Sequence, residues 1–519
     1  MPVRSRKQSS VQAKQCTPVR GIDLSRPDSV IHENALTQAF NFWYEPSYTG
    51  IVTRMGTEKV DAPQLPGAVT EMIYYITTTG EAYLVVAIRT QIGEHRLYAL
   101  VDAGSGNQWQ LVTELQRVPS LLNFDGYLII ADGRNGGIVS WDGATLKEIQ
   151  GSPPKPTVLN TISDRVVANS LDSPDYVFFS EPENFEEWGV SEGKAGFIAP
   201  AGFGEGMEIN GMTALYGMLV VSKVHRDKAG NITAKRLHMI NTNGTPESWS
   251  TARLSATNAT NVQNGITSVA DKIFYLDSDG IQSASPAPGG AFGDIALDPE
   301  AGTRILALIG RNARQATTAV VKFVKLLGQL WFIIRAGQAV EIVVYHPLQG
   351  GAWTELRYPF ITGALCETGT NVLLGADDGY IYKFSGEGTD SGKPVQTVLR
   401  TKKYDQVGGD MILRAAKLTL GRISPSLIRV EAVGEDGSIR HLVAEMQTEE
   451  TGAADDKIFD ANYKIFDANF PIFGGQRIIP QPFDWRVAGP RSTGIYMQVR
   501  TLGGRITIDG IAALMAHVG

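Results

Sequence analysis

Hydrophobic positions in this chain come in runs of three to six residues, cut by turn dipeptides, with no sustained helical period. The clearest case is residues 121–143, LLNFDGYLIIADGRNGGIVSWDG. Asp125-Gly126 can take the positive φ angles of a tight hairpin, so Leu122 to Phe124 and Tyr127 to Ala131 are expected to pair as antiparallel strands. Asp132-Gly133 supplies a second turn, residues 138–141 a further strand, and Asp142-Gly143 stops it. A hairpin of this size cannot bury its own faces and needs neighbours of the same kind.

The same phrase returns along most of the chain. Polar or glycine turns precede apolar strands at 162–168, 215–221, 269–276, 326–334 and 367–374, and a companion strand follows at 176–179, 237–240, 280–282, 342–345 and 380–384. With 83–86 and 97–100 at the front, seven units can be marked by Val85, Ile129, Val167, Leu219, Phe274, Trp331 and Leu373, at intervals of 38 to 57 residues. A four-stranded propeller blade occupies roughly 40 to 50 residues. The expected fold is therefore all-β, a β-propeller of about seven blade-like units over residues 60–390, with six to eight compatible with the spacing. The alternative is an antiparallel protein with hairpins at irregular intervals.

The pattern changes after Gly386-Glu-Gly-Thr-Asp-Ser-Gly392, a flexible composition that reads as a domain boundary. Strict alternation at 395–401, 416–420, 427–431, 495–500 and 505–509 gives one buried and one wet face, so 391–519 is expected to form a C-terminal β-sandwich. Inside it Lys457-Ile-Phe-Asp-Ala-Asn-Tyr463 is repeated at once as Lys464-Ile-Phe-Asp-Ala-Asn-Phe470, with Phe459, Tyr463, Phe466 and Phe470 as candidates for a projecting aromatic loop. Two inserts interrupt the repeats. The first, 181–207, is acidic and glycine-rich and carries Glu183, Glu186 and Glu187. The second, 283–309, ends in a stretch that reads as a short helix capped by Asp298.

Length leaves room for two domains: 519 residues exceed the roughly 250 to 300 at which one core stops growing. Lys plus Arg at 47 against Asp plus Glu at 54 gives a net charge of −7, which argues against a surface built throughout to grip nucleic acid. Cys16 and Cys366 are too few and too far apart in sequence for a disulfide framework. No apolar run approaches the ~20 residues of a membrane span, and no secretory signal is recognised. Residues 1–20 carry Arg4, Arg6, Lys7, Lys14 and Arg20 with no acidic residue, the composition of an arm that is solvated or that orders on an acidic partner.

Candidate chemistry is sparse, and no catalytic, cofactor-binding or metal-ligating residue is assigned. Gly202-Phe-Gly-Glu-Gly206 lacks the third glycine of a dinucleotide site, and Ser391-Gly-Lys-Pro394 lacks the spacing of a phosphate loop. Neither a Gly-x-Ser-x-Gly elbow nor a His-Glu-x-x-His helix occurs. The seven histidines show no ligand spacing, and Asp277-Ser-Asp-Gly280 and Asp377-Asp-Gly379 read first as turns. Asp102-Ala-Gly104 with Trp109 is only loosely similar to a sialidase Asp-box.

One stretch carries a family resemblance. Asn41-Phe-Trp-Tyr-Glu-Pro46 leads through Gly50-Ile-Val-Thr-Arg54-Met-Gly56, an Asn, a Pro and a strand closing in Arg-x-Gly ahead of the repeats. In this, and in the order of arm, Arg-Gly segment, repeats and terminal β domain, the chain resembles the tail hub or nozzle proteins of short-tailed bacteriophages, also called packaged-DNA stabilisation proteins. The resemblance implies a virion structural protein and not an enzyme: six copies in a ring below the head-to-tail adaptor or portal, assembled in the host cytoplasm. Tail fibres or a tail needle would be neighbours, and double-stranded DNA would be retained and then conducted through the channel without sequence-specific binding. It also implies docking to the adaptor or a neighbouring copy through residues 1–59, with Arg4, Arg6, Lys7, Asn41, Trp43, Pro46 and Arg54 as candidates. Glu183, Glu186, Glu187 and the aromatic loop are the candidates for channel or subunit contacts. The rival reading is a carbohydrate-binding or carbohydrate-cleaving tail propeller, either a receptor-binding protein or a depolymerase.

Overall fold

Asp125 and Gly126 have φ angles of 50° and 72°, and the strands on either side pair in register, Phe124 with Tyr127 through Ser120 with Ala131. This is the hairpin that an Asp-Gly pair between apolar runs specifies, because its backbone twist matches that of the strands. The computed structural model describes residues 11–46, 50–102, 106–151, 153–191, 193–200, 204–255, 257–286, 295–298, 300–405, 410–421, 424–435, 437, 440–448, 481–486 and 491–518. They form two units: unit 1 draws on Met1–Glu58, Val344–Arg357 and Ser385–Gly519, and unit 2 on Lys59–Val343 and Tyr358–Phe384.

Unit 2 is a succession of antiparallel meanders. Five are four-stranded: blade 1 (67–115), blade 2 (120–148), blade 3 (159–198), blade 4 (208–255) and blade 5 (266–298). Blade 6 opens with Thr318–Val324 and Gln329–Ala336, and blade 7 consists of Thr362–Glu367, Val372–Ala376 and Ile381–Phe384. The seven marker residues of the sequence pattern each lie on the second strand of one blade. First strands neighbour one another from blade 1 to blade 7, and the first strand of blade 7 neighbours that of blade 1, so the sheets close into a ring: a seven-bladed β-propeller.

Closure is an apolar event. Val69, Met72, Leu84, Val86 and Ile88 of blade 1 pack with Ala364, Cys366, Leu373 and Ile381 of blade 7 in one buried cluster. Matching clusters fill the gaps between blades 1 and 2 (Val85, Leu97, Leu128, Trp141), 2 and 3 (Ile129, Ile149, Val166, Trp188), 3 and 4 (Val167, Phe179, Met212, Val221) and 4 and 5 (Val220, Leu237, Ile273, Tyr275). Ion pairs also join neighbouring blades: Lys223 of blade 4 to Asp175 of blade 3 at 2.9 Å, Lys235 of blade 4 to Asp277 of blade 5, and Arg335 of blade 6 to Asp377 of blade 7 at 2.6 Å. The expected helix lies further along than the sequence suggests. Ile295–Asp298 is the fourth strand of blade 5, so Asp298 ends a strand, and the helical stretches are Glu300–Thr303 and Leu306–Arg314.

Unit 1 collects strands from three parts of the chain. The first part supplies β1 (Val11–Cys16), β2 (Leu36–Phe40), β3 (Phe42–Trp43) and β4 (Ile51–Thr53), and the second supplies β5 (Ala352–Leu356). The third supplies β6 (Gln396–Thr401), β7 (Tyr404–Asp405), β8 (Asp410–Leu420), β9 (Ser426–Gly434) and β10 (Arg440–Thr448). It continues with β11 (Gln481–Arg486), β12 (Arg491–Ser492), β13 (Gly494–Leu502) and β14 (Thr507–Val518). One sheet runs β3-β4-β14-β8-β11, with β1 on β14 and β12 on β8; a second runs β5-β2-β6-β13-β9-β10, with β7 on β13. The sequence reading kept 1–59 and 391–519 apart, whereas β1 to β4 are too short to form a sheet of their own and take their partners from β6 and β14.

Candidate functional site

The stretch that carries the family resemblance folds into the interior of unit 1. Asn41 sits between β2 and β3 with φ at 57°, a left-handed conformation that asparagine tolerates better than most residues. Its Oδ1 accepts from Arg54 Nε at 3.0 Å and from the Arg357 N–H at 2.8 Å, and its Nδ2 donates to the Gln396 carbonyl at 2.8 Å.

Arg54 follows β4 and is 1 % exposed. Its Nη1 donates to Asp390 Oδ1 at 2.9 Å and to the Met55 carbonyl at 2.8 Å; its Nη2 donates to Asp390 Oδ2 at 2.5 Å and to the Arg357 carbonyl at 2.8 Å. With Nε on Asn41, all five guanidinium N–H groups are spent. Asp390 Oδ1 also accepts from the Thr57 N–H at 3.1 Å and from Thr57 Oγ1 at 3.0 Å. The geometry is the two-pronged Arg–carboxylate fork, here fully desolvated and fully bonded. Gly56 lets the chain pass: a Cβ there would lie 1.9 Å from the Thr389 carbonyl oxygen. Thr57, Arg357 and Asp390 are each close in sequence to a point where the chain leaves or re-enters unit 1, so the Arg54–Asp390 pair gathers these points, Arg54 on the Arg357 carbonyl and Asp390 on Thr57.

A second buried pair lies in the same unit. Glu45 accepts from Trp43 Nε1 at 2.8 Å and pairs with Arg505, whose Nε reaches the Thr53 carbonyl at 3.5 Å. The sequence-derived docking residues thus divide. Asn41, Trp43 and Arg54 are buried and committed to internal bonds, Pro46 is exposed, and Arg4, Arg6 and Lys7 lie outside the described residues. A surface role for Asn41, Trp43 and Arg54 is corrected to an internal one, because their polar atoms are bonded inside the unit. The sequence reading passed over Asp390, Glu45 and Arg505. Arg54, at the end of the apolar strand Ile51-Val-Thr, was the available signal, since a buried guanidinium requires a carboxylate.

The acidic insert of blade 3 is pinned across the gap to blade 2. Phe185 and Trp188 are 5 % and 3 % exposed, with the Phe185 ring 5.0 Å from that of Tyr127 and 6.3 Å from that of Phe124. Trp188 Nε1 donates to the Phe185 carbonyl at 2.7 Å. Glu186 pairs with Lys147 at 2.6 Å, while Glu183 and Glu187 are exposed. Phe459, Tyr463, Phe466 and Phe470 lie outside the described residues.

Clefts open on unit 2 among the described residues. One of about 850 Å³ is bordered by Arg89, Gln338, Asp377 and Asp378, but Asp377 is held by Arg335 and Asp378 accepts from the Tyr382 hydroxyl at 2.8 Å. Another, of about 400 Å³, is bordered by Arg117, Asn169, Glu208, Asn210 and Arg226, with Glu208 and Arg226 paired at 2.7 Å and both amides engaged with backbone. Among the described residues no three His, Cys, Asp or Glu side chains are grouped to hold a metal ion, and no helix is long and apolar enough to cross a membrane. Both cysteines are buried, and burial pushes each thiol up to about 12, where it is a poor nucleophile.

No protein-family model matches the chain, and no curated protein matches it. Solved structures do. The computationally designed Ika8 protein is 13 % identical over 63 % of this chain and 99 % of its own, with a TM-score of 0.36. BamB from Moraxella catarrhalis is 13 % identical over 66 % and 95 %, at 0.33, and human WBSCR16 is 10 % identical over 62 % and 88 %, at 0.35. The propeller assignment rests on the strand pairing of this chain and not on these likenesses.

Proposed function

We propose that this chain is a structural component of a bacteriophage tail, a hub or nozzle subunit whose copies form a ring around the path of the packaged DNA. The observation that carries the reading is the Asn41–Arg54–Asp390 clamp. The Asn and Arg-x-Gly residues that resemble the nozzle proteins form one buried constellation, with side chains spent on holding backbone in place. A closed ring of seven antiparallel sheets supports the same reading, since buried apolar contacts between neighbouring blades, blade 7 against blade 1 included, make it stiff under load. In this proposal the two sheets of unit 1 pack as the terminal β-sandwich. The residues ahead of β1, which is itself paired with β14 inside unit 1, and the exposed Glu183 and Glu187 make contacts between copies or with the adaptor, and the protein catalyses nothing.

Negative-stain images of the purified protein and of tails test it. Rings with an axial hole, six-fold by the resemblance, are the expected result. A monomer at all concentrations, absent from tails, refutes it, and release of reducing ends from a host polysaccharide by such a monomer establishes the carbohydrate-cleaving alternative.

A further inference from the structure

Four Asn-Gly pairs occur in the chain, at 135–136, 210–211, 243–244 and 264–265, and the fold treats them differently. In such a pair a backbone nitrogen can reach the neighbouring side-chain amide, because glycine puts no Cβ beside that nitrogen. Asn210 is 5 % exposed, with its Nδ2 donating to the Thr260 carbonyl at 2.9 Å and its Oδ1 accepting from the Ser222 hydroxyl at 2.8 Å. Beside Asn264, the Gly265 N–H is held by the Val262 carbonyl at 3.3 Å. The peptide between Asn243 and Gly244 is tied through the Asn243 carbonyl, which accepts from Ser248 Oγ at 3.3 Å.

The pair at 135–136 has none of these restraints. Asn135 and Gly136 are the middle residues of a turn closed by the Gly137 N–H, which donates to the Arg134 carbonyl at 3.0 Å, in the connection between the second and third strands of blade 2. Both are exposed, and among the described residues neither the Asn135 side chain nor the Gly136 N–H has a hydrogen-bond partner. Gly136 lies outside the left-handed region, and a Cβ there would meet only the Glu148 side chain, at 3.4 Å and beyond. The flanks of the turn are fixed: Arg134 pairs with Asp132 at 2.8 Å, and a Cβ on Gly137 would lie 2.9 Å from Pro153.

We propose that Asn135 is a site of spontaneous deamidation, a covalent modification of the folded chain that needs water alone. The Gly136 nitrogen attacks Asn135 Cγ and gives up its proton; the N–Cγ bond forms, and the side-chain nitrogen leaves with that proton as ammonia, so that a cyclic imide remains. Water then opens the ring, at Cγ to give aspartate or at the Asn135 backbone carbonyl carbon to give isoaspartate. Nothing is oxidised or reduced. Either product sets a new negative charge beside the Glu148 carboxylate, and isoaspartate adds a methylene to the backbone of the turn, which breaks the Gly137–Arg134 hydrogen bond. Asparagine is among the thermolabile residue types, and the site stands whether or not the tail reading does.

Peptide mapping by mass spectrometry, on the full chain incubated folded at mildly alkaline pH, tests the site. Trypsin, cutting after Arg134 and Lys147, releases residues 135–147 as one peptide. The expected result is that this peptide gains the mass of an amide-to-acid exchange, placed on Asn135 by its fragment ions, while the peptides holding Asn210, Asn243 and Asn264 lag behind until the chain is unfolded in denaturant. Gly136→Ala, whose added methyl shields the nitrogen and meets only Glu148, should keep the parent's melting temperature and lose most of the gain. No gain at Asn135 over an incubation that converts the denatured chain, or a gain at any of the other three in the folded chain that keeps pace with it, overturns the proposal. An equal gain in folded Gly136→Ala overturns it too, since the Gly136 nitrogen is then not the attacking atom.

Discussion

Removing the Asp390 carboxylate tests the claim that Arg54 holds unit 1 together. Asp390→Ala strands a guanidinium that is 1 % exposed, takes away two of its five hydrogen bonds, and deprives the Thr57 N–H and hydroxyl of their acceptor. Breaking a buried pair from one side costs about 3 to 5 kcal/mol, because the remaining charge stays desolvated and unpaired. A loss of about 4 kcal/mol corresponds to about a thousandfold at 1.36 kcal/mol per decade. Amide hydrogen exchange followed by mass spectrometry reads this locally: β4 and β6 should exchange about a thousandfold faster, with the Tyr127–Ala131 strand of blade 2 unchanged. A matched apolar replacement, Arg54→Met with Asp390→Leu, should recover most of the loss, since it removes both charges and their desolvation cost. An Asp390→Ala protein whose β4 and β6 amides exchange within tenfold of the parent would refute the clamp. A double variant as labile as the single one would show that the uncompensated charge is not the cause.

Acid should weaken both units. His238 in unit 2 and His346 in unit 1 are fully buried, and burial lowers them to about 4 and about 3 from an ordinary 6.5, with Lys223, Arg253 and Arg236 adding to the effect at His238. The unfolded chain then binds the extra protons, so this stability is present above pH 6.5 and is lost as pH falls from there toward the folded values, by at most about 3 kcal/mol for His238 and about 5 kcal/mol for His346. Unfolding midpoints measured between pH 7 and pH 4 should fall, and the fall should shrink in His238→Phe. Trp188→Ala should cost about 3 to 5 kcal/mol of local stability and expose the insert of blade 3 to limited proteolysis between 181 and 195, while cleavage no faster than in the parent would contradict its pinning. Gly56→Ala should destabilise unit 1 by more than 1 kcal/mol, since its Cβ meets backbone at Thr389, and an unchanged melting temperature would show that the passage is wider than described.

What the sequence made legible follows the range of the interactions. Asp125-Gly126 and its counterparts act within a few residues, so hairpins and strand centres could be placed from composition alone. Ring closure could be expected from the repeat but not seen in it, because it depends on Val69 meeting Ala364 and Cys366, apolar residues no different in type from the rest of the core. The partner of Arg54 was hidden for a related reason. Asp390 stands in a Gly/Ser/Asp stretch whose composition says linker, and its fixed position comes from contacts made more than three hundred residues away. In the insert of blade 3 the acidic residues drew attention first, yet Phe185 and Trp188 between them decide where it lies.

The partition of unit 1 among distant stretches bears on how the protein is made. Every strand of the propeller has left the ribosome once Phe384 has, so the ring can close while translation is still under way. Strands β1 and β4 must wait for β14, with Val11 paired to Ala516 and Ile51 to Ile508, and until then they are nascent edges open to the wrong partner. A message cut short after residue 500 would yield a finished wheel carrying adhesive loose ends, a product for proteases and chaperones to clear.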